Sequence, residues 1–290
     1  MMIIDSRLRP PFAGIEETMI FDANYASQFS RMFRQTPNES VLQRSMELLI
    51  QEMDAAGITK GFVPVRNGIN NEALAAAITQ YKDRFYGFAN VTMAPGEKSI
   101  SQESLNEIDT LVINGPLTGI SMEPGFFSES CCIDNERIFS VYEKCEKNDI
   151  PVILTSNVYT PEHFSPTRIC NVIKAFPKLR LILVHACIPW TAAVCQLAVQ
   201  HPNLYISPDC YLLGAPGHRD FIDAANTLLP NQILFGSAYP LVPLGFAVDY
   251  YLHCGLRDDV IEYVMHYNAL RALGEDVPRF DVPYNSLYGA

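Results

Sequence analysis

Leu181-Ile182-Leu183-Val184-His185 is the stretch that decides the fold of this chain. Four consecutive aliphatic residues after Arg180 predict a strand buried on both faces, as in parallel sheets that are covered by helices. The strand ends in an imidazole, and the small residues Ala186 and Cys187 follow it. Because the working residues of parallel α/β proteins lie at the carboxyl ends of strands, His185 is the first candidate functional residue.

Strand and helix patterns alternate along the rest of the chain. The predicted strands are 2–5, 60–65, 85–93, 117–123, 151–157, 179–185, 204–209 and 232–239, and the predicted helices are 70–81, 102–113, 135–147, 167–176, 191–200, 219–229, 244–253 and 258–273. Eight βα units in about 270 residues predict an α/β fold, a single (β/α)8 TIM barrel that forms one domain over residues 1–290. An open doubly wound sheet is the competing architecture, but no G-x-G-x-x-G follows any strand.

The segment between the first strand and the first clear helix is long. Residues 10–39 are rich in Phe, Met and polar residues and show no clear periodicity. A connection of this length usually covers a site, so we expect an irregular segment that wraps over the barrel. Ser40 is then predicted as the N-cap of a helix whose apolar stripe ends at Gly57.

The composition limits the class of protein. Hydrophobic residues make up 48% of the chain and charged residues 18%, which suits a large core. The formal net charge of −11 disfavours nucleic acid as a partner, because phosphate binding requires a basic surface. The sequence pattern predicts no signal peptide and no membrane span, since it lacks a long apolar run. The eight cysteines form no C-x-x-C pair, which predicts a reduced, cytoplasmic protein.

Seven segments of the chain carry the pattern of a known family. They are Ile3–Asp5, Glu123–Pro124, Val141–Cys145, Ile150–Leu154, Leu181–His185, Leu234–Pro240 and Asn268–Gly274. In this order they resemble the amidohydrolase-2 branch of the amidohydrolase superfamily, which includes aminocarboxymuconate-semialdehyde decarboxylase and several lactone hydrolases. The most specific pieces are the Gly-Ser-x-Tyr-Pro and Asn-Ala-x-Arg-x-Leu-Gly motifs in the last two segments.

The resemblance also implies a divalent metal ion, and this chain departs from the family at the ligand positions. The family's first strand ends in His-x-His, matched here by Arg7 and Arg9, while a fifth-strand His and an eighth-strand Asp are matched by Thr155 and Ala238. Arginine stays protonated and alanine offers no donor atom, so we expect no metal and no other cofactor at that place. The sixth-strand His, which acts as acid or base in the family, is retained as His185.

Arg7 and Arg9 are the main candidates for substrate binding. At positions i and i+2 of a strand they point the same way. If they face the barrel interior, they form a cationic floor for a carboxylate, sulfonate or phosphate. The alternative is that Arg7 pairs with Asp5 and that Arg9 only reaches the surface before Pro10.

His185 is the candidate general acid or base, and the alternative is an inherited barrel histidine with no catalytic work. Asp209, after the seventh strand, is predicted to orient His185 or to serve as the base itself. A relocated metal site that includes both side chains is a further alternative. The other predicted substrate-binding residues also end or follow strands: Arg66, Glu123, Asn157 and Tyr239.

Together these residues predict a metal-independent, lactonase-like hydrolase that acts on a small carboxylated compound. Arg7 and Arg9 would bind carboxylates, and His185 would activate water. One alternative is a non-catalytic barrel that binds an anionic ligand, and another is a metal-free decarboxylase. The family and the aromatic residues after Glu275 favour a homodimer or a higher homo-oligomer.

Overall fold

The computed structural model describes residues 1–156 and 159–281. In this part of the chain, seven strands form one parallel sheet, and each strand lies beside the next one in the sequence. The strands are β1 (Ile3–Asp5), β2 (Ile58–Pro64), β3 (Phe85–Asn90), β4 (Gly119–Met122), β5 (Val152–Thr155), β6 (Leu181–Val184) and β7 (Leu204–Ser207). The decisive stretch of the sequence is therefore a fully buried strand of the sheet.

Residues 232–239 lie between the two edges of this sheet. Ile233 forms an isolated parallel bridge with Ile206 of β7, and Tyr239 forms another with Leu8, which follows β1. Both edges are thus linked through the same segment, and the arrangement is consistent with a (β/α)8 barrel.

The structure does not show this segment as a regular eighth strand, which the sequence pattern predicts. The Ser237 backbone N–H donates to Asp5 Oδ1 at 2.9 Å instead of joining a strand ladder. Ala238 then adopts a φ of +63°, outside the extended region. These two features interrupt the ladder between the bridges.

The helices surround the sheet and follow most of the predicted segments. Among the described residues the α-helices are α1 (Ala23–Met32), α2 (Glu39–Gln43), α3 (Met46–Ala55), α4 (Asn71–Gln80), α5 (Gln102–Glu107), α6 (Phe139–Lys147), α7 (Pro166–Ala175), α8 (Thr191–Gln200), α9 (His218–Asn226), α10 (Leu244–His253), α11 (Asp258–Glu262) and α12 (Asn268–Ala272). A π-helical segment continues α5, and another joins α11 to α12. In the described ranges no helix has the length and apolarity that crossing a bilayer requires.

Residues 10–39 are more regular than the sequence pattern predicts. They contain α1, which Asp22 caps by accepting hydrogen bonds from Asn24 N at 3.0 Å and Tyr25 N at 2.9 Å. The fully buried residues of the helix are the small Ala26 and Ser30, and its aromatic Tyr25 and Phe29 are only partly buried, so the helix lacks the aliphatic stripe that makes a helix visible in a sequence.

The helix predicted from Ser40 to Gly57 is two helices, α2 and α3. Arg44 takes a left-handed φ of +51° between them, which ends α2. Ser45 then caps α3 by accepting a hydrogen bond from Leu48 N at 3.3 Å. The prediction of one continuous helix was wrong because the left-handed turn carries no glycine to mark it.

Two clusters of buried side chains stabilise the fold. The larger packs the helices on the outside of the sheet. The smaller, which we call the concave cluster, joins side chains from adjacent strands: Ile4, Phe62, Phe88, Ile153, Ile182, Val184, Tyr205 and Leu234. Because side chains alternate across a strand, these residues share the inner face of the curled sheet. The concave cluster fills the interior, and polar residues follow at the carboxyl ends of the strands.

Candidate active site

A pocket of about 270 Å³ lies at the carboxyl ends of the strands. Its polar wall comes from Arg7, Arg9, Arg66, Glu123 and His185. Its apolar wall includes Ile20, Tyr25 and Phe29, so the segment of residues 10–39 covers this end of the barrel. A volume near the lower end of the usual range for ligand pockets suits a small molecule.

Glu123 is the centre of an arginine cluster in this pocket. Its Oε1 lies 2.8 Å from Arg9 Nη2 and 3.9 Å from Arg7 Nη2, and its Oε2 lies 2.9 Å from Arg66 Nε. Arg9 Nε also donates to the carbonyl of Pro64 at 3.1 Å. Arg7 and Arg9 line the same pocket, so the surface position considered for Arg9 in the alternative interpretation is wrong.

The arginine cluster carries an excess of positive charge. The side chains of Arg7, Arg9 and Glu123 are 5%, 8% and 1% exposed, while that of Arg66 is 32% exposed. Burial, followed by the charge of Arg7, lowers the pKa of Arg9 well below its usual value. Burial alone would raise the pKa of Glu123, but Arg9, Arg66 and Arg7 lower it. Three guanidiniums therefore share one ionised carboxylate.

Arg7 has a free donor inside the cluster. Its Nη1 is buried and has no hydrogen-bond partner among the described residues. A buried donor without an acceptor costs roughly 1–3 kcal/mol, and more when the group is charged. An anionic ligand in the pocket would supply the missing acceptor.

Asp5 positions the backbone around Arg7. Its Oδ1 accepts hydrogen bonds from Arg7 N and from Ser237 N, both at 2.9 Å. The alternative interpretation placed Asp5 against the Arg7 side chain, whereas the hydrogen bond goes to the backbone. Burial raises the pKa of Asp5 to about 7, and its hydrogen bonds with Ser237 and Arg7 oppose that shift. The Oδ2 atom is buried without a hydrogen-bond partner in the described part of the chain.

His185 and Asp209 form a close pair at the ends of β6 and β7. His185 Nδ1 lies 2.7 Å from Asp209 Oδ2, and the imidazole is 23% exposed whereas the carboxylate is fully buried. This contact does not have the geometry of a hydrogen bond, and Nδ1 has no hydrogen-bond partner among the described residues; the His185 backbone N–H donates to the same Oδ2 at 3.3 Å. Tyr211 packs edge-on against the imidazole, with 5.4 Å between ring centres.

The backbone around this pair is strained. His185, Ala186 and Cys187 have φ values of +60°, +47° and +55°, and Asp209 has a φ of +45°. Each non-glycine residue in this left-handed region costs roughly 1–3 kcal/mol, and such residues cluster at functional sites. The strain sits at the two residues that bring the imidazole and the carboxylate together.

The remaining predicted residues differ in their positions. The Tyr239 ring lines the pocket, but its hydroxyl is 2.8 Å from Ser40 Oγ, which in turn bonds Glu52. Because the Tyr239 hydroxyl already bonds Ser40, it is not directed toward a substrate, and its predicted role as a polar substrate contact is disfavoured. Asn157 lies outside the described residues.

Sequence reasoning missed several residues of the pocket wall. Ser156, Cys210 and Tyr211 line the pocket directly beside predicted residues. Burial, together with the Asp209 carboxylate, raises the pKa of the Cys210 thiol well above its usual value, so the thiol stays protonated. Their adjacency to Thr155 and Asp209 at strand ends was the signal that could have found them.

The residues that the family resemblance matches to a metal position do not fit a divalent cation. Arg7 and Arg9 bring two guanidiniums into the pocket, and Thr155 and Ala238 line the same space with a hydroxyl and a methyl group. Guanidinium repels a cation and offers no lone pair. Among the described residues, one other group of side chains could offer ligands to a cation, and it includes His185. A cation is disfavoured there as well.

That other cluster consists of His185, Asp209 and Cys210, whose ligand atoms lie within 4.8 Å of one another. The 2.7 Å between His185 Nδ1 and Asp209 Oδ2 indicates a direct contact. Two ligands on a tetrahedral zinc are separated by roughly 3.3 Å, given metal–ligand bonds of about 2.0 Å.

Comparison with protein families identifies the class. A family model described as amidohydrolase matches residues 51–274, which is more than half of the chain, and the chain therefore belongs to this family. The matched range does not include Arg7 and Arg9. A search of curated proteins found no match.

Solved structures share the fold. An uncharacterized TIM-barrel protein from Bordetella bronchiseptica is 33% identical, with a TM-score of 0.86 over 94% of this chain and 99% of that chain. A 2,6-dihydroxybenzoate decarboxylase from Rhizobium is 15% identical, with a TM-score of 0.67 over 94% of this chain and 98% of its own. A 4-oxalomesaconate hydratase from Rhodopseudomonas palustris is 16% identical, with a TM-score of 0.65 over 94% of this chain and 96% of the hydratase.

Proposed function

We propose that this protein is a metal-independent, lactonase-like hydrolase that acts on a small carboxylated compound. The observation that supports this function is the excess positive charge of the arginine cluster next to the pair of His185 and Asp209. The cluster includes Arg7, whose Nη1 lacks an acceptor. One part of the pocket can bind an anion, and the adjacent part can move a proton.

In the proposed reaction, Asp209 orients His185 and Nε2 accepts a proton from water. The water oxygen forms a bond to the lactone carbonyl carbon, and the carbonyl oxygen becomes an oxyanion. A guanidinium of the arginine cluster stabilises that oxyanion electrostatically. The ring carbon–oxygen bond then breaks, and the imidazolium returns its proton to the leaving alkoxide.

The arginine cluster also accounts for substrate binding. Arg66 is the most exposed member, and it stacks over the Phe126 ring with 4.9 Å between Cζ and the ring centre. We assign carboxylate binding to Arg7 and Arg9, with Arg66 beside them as the exposed member and Glu123 between the three guanidiniums. The anion would enter between the guanidiniums and the apolar wall of residues 20–29.

Decarboxylation is the second candidate function, favoured by the similarity to a 2,6-dihydroxybenzoate decarboxylase. The same arginine cluster would hold a carboxylated ring. The carbon–carbon bond to the reacting carboxylate would break, carbon dioxide would leave, and the electron pair on the ring carbon would take a proton from the His185 imidazolium. A binding protein without chemistry is the third candidate, for which anion binding without product is the expected outcome.

The test is product formation from carboxylated γ- and δ-lactones and from aromatic carboxylates, followed by mass spectrometry with a parallel assay for carbon dioxide. Ring opening without carbon dioxide supports the hydrolase, and carbon dioxide release supports the decarboxylase. His185→Asn should abolish turnover and retain anion binding. The matched control is His253→Asn, because exposed His253 also contacts a carboxylate, Asp249, at 3.2 Å. Equal turnover by both variants would exclude His185 as the acid or base.

We further infer that residues 1–290 act as one (β/α)8 domain in a homo-oligomer. The bridges of residues 232–239 to both edges of the sheet support barrel closure. Sedimentation velocity would test the oligomeric state.

A further inference from the structure

A second cavity, of about 420 Å³, opens at the amino-terminal end of the strands, opposite the arginine pocket. Lys60 of β2, Tyr86 of β3, Ile4 of β1 and Leu270 of α12 form much of its wall. The concave cluster of the core separates the two cavities, since its side chains fill the inside of the sheet. A ligand in the second cavity would therefore not contact the arginine cluster.

Lys60 brings to this cavity a positive charge that no carboxylate of the described residues contacts directly. Its Nζ lies 4.7 Å from the centre of the Tyr86 ring and 3.4 Å from the Tyr86 hydroxyl. Among the described residues no carboxylate lies within 4.0 Å of it. Asp54 pairs with Arg84 at 2.8 Å, and Asp83 is exposed at the rim. The ammonium thus lies against an aromatic face without a direct counter-charge.

His266 adds a polar group to the wall of the same cavity. The residue is only 5% exposed, and its Nδ1 has no hydrogen-bond partner in the described part of the chain. Burial lowers the pKa of His266 below its ordinary value, so the imidazole is neutral at neutral pH. A buried polar atom without a partner is uncommon in a folded protein and points to an absent partner such as a bound molecule.

The apolar part of the wall is formed by Ile4, Tyr86 and Leu270, and Thr59 and the Asp54–Arg84 pair complete it. Ile4 is 2% exposed, and Leu270 and Tyr86 pack against the concave cluster from below. An apolar body would displace water from these side chains, while Lys60 would attract a negative charge at one end. Pockets of this kind, apolar with a few polar groups, are typical of small-molecule sites.

We propose that this cavity is a second binding site that takes a small apolar carboxylate. The carboxylate lies against Lys60, and the apolar body packs on Ile4 and Leu270. This inference does not depend on the reaction proposed for the arginine pocket, because the two cavities share no wall residue.

Crystals of the full chain soaked with 4-bromobenzoate test the location directly, since the anomalous signal of bromine marks the ligand. We expect a bromine peak between Leu270 and Tyr86. A peak in the arginine pocket alone, or no peak, would overturn the proposal. Soaking with 4-bromobenzylamine tests the charge: an equal peak in the same cavity from this cation would contradict a carboxylate site.

Calorimetric titration with 4-bromobenzoate tests the assigned residues. Lys60→Gln should weaken the affinity about fivefold to tenfold, as loss of a partly exposed charged contact does. Leu270→Trp, which fills the cavity, should abolish this binding. Lys147→Gln, at an exposed lysine elsewhere, is the control and should have no effect. An affinity that Lys60→Gln leaves unchanged would refute the assignment.

Discussion

Replacing Glu123 by glutamine removes the single carboxylate that three guanidiniums share. The exposed fraction of the Glu123 side chain is 1%, and two of its arginine partners are almost as buried. Removing one partner of a buried ion pair costs roughly 3–5 kcal/mol, because the remaining charges are left without compensation. Since a domain is typically stable by about 5–15 kcal/mol, Glu123→Gln should lose a large part of its free energy of unfolding.

Urea unfolding at neutral pH measures this loss, with and without sulfate. The matched control is Glu129→Gln, because Glu129 also pairs with an arginine, Arg137 at 3.1 Å, but is 53% exposed. An exposed pair contributes at most about 1 kcal/mol. We expect a change of several kcal/mol for Glu123→Gln and a much smaller change for the control.

Anion binding gives this prediction a second readout. A ligand at 100 times its Kd stabilises the folded state by about 2.7 kcal/mol. Sulfate should stabilise Glu123→Gln more than the wild type, because the variant has one more uncompensated positive charge. Equal destabilisation by the two glutamine variants, or equal stabilisation of wild type and Glu123→Gln by sulfate, would refute the reasoning from excess charge.

Three further predictions concern the same pocket. Asp209→Asn should lower turnover by about 10²–10⁴-fold with little change in substrate affinity, because the imidazole loses its orienting carboxylate; steady-state kinetics that show a changed KM alone would contradict this. The pKa of Asp5 is about 7 in the folded state, against an ordinary value of 3.8. The contribution of Asp5 to the free energy of unfolding is therefore fully present below pH 4. It is lost as the pH rises to 7, and the loss is at most about 4 kcal/mol. Asp5→Asn should flatten this part of the pH profile of urea unfolding, and an unchanged slope would show that Asp5 is ionised throughout. Finally, turnover should survive removal of metal ions by a chelator, and restoration of a lost activity by added zinc or manganese would refute the metal-independent mechanism.

Local patterns predicted much of the fold. The apolar runs of strands and the 3.6-residue periodicity of helices both depend on residues that are close together in the chain. The sequence therefore predicted β2 to β7 and most helices. The family pattern was recognisable for the same reason, because its motifs are short stretches of neighbouring residues. The patterns failed where no local signal exists. Helix α1 fully buries only small residues, and the turn at Arg44 lacks a glycine.

The sequence by itself determined a parallel α/β fold and the family, and it predicts that Arg7 and Arg9 replace metal-binding residues. Only the tertiary structure decided how these charges are balanced. Glu123 is 114 residues from Arg9, yet their side chains are 2.8 Å apart. His185 and Asp209 likewise meet because β6 and β7 are adjacent in the sheet. Electrostatic interactions and pKa values depend on distance and burial in three dimensions, and the curled sheet sets both by bringing remote strand ends together.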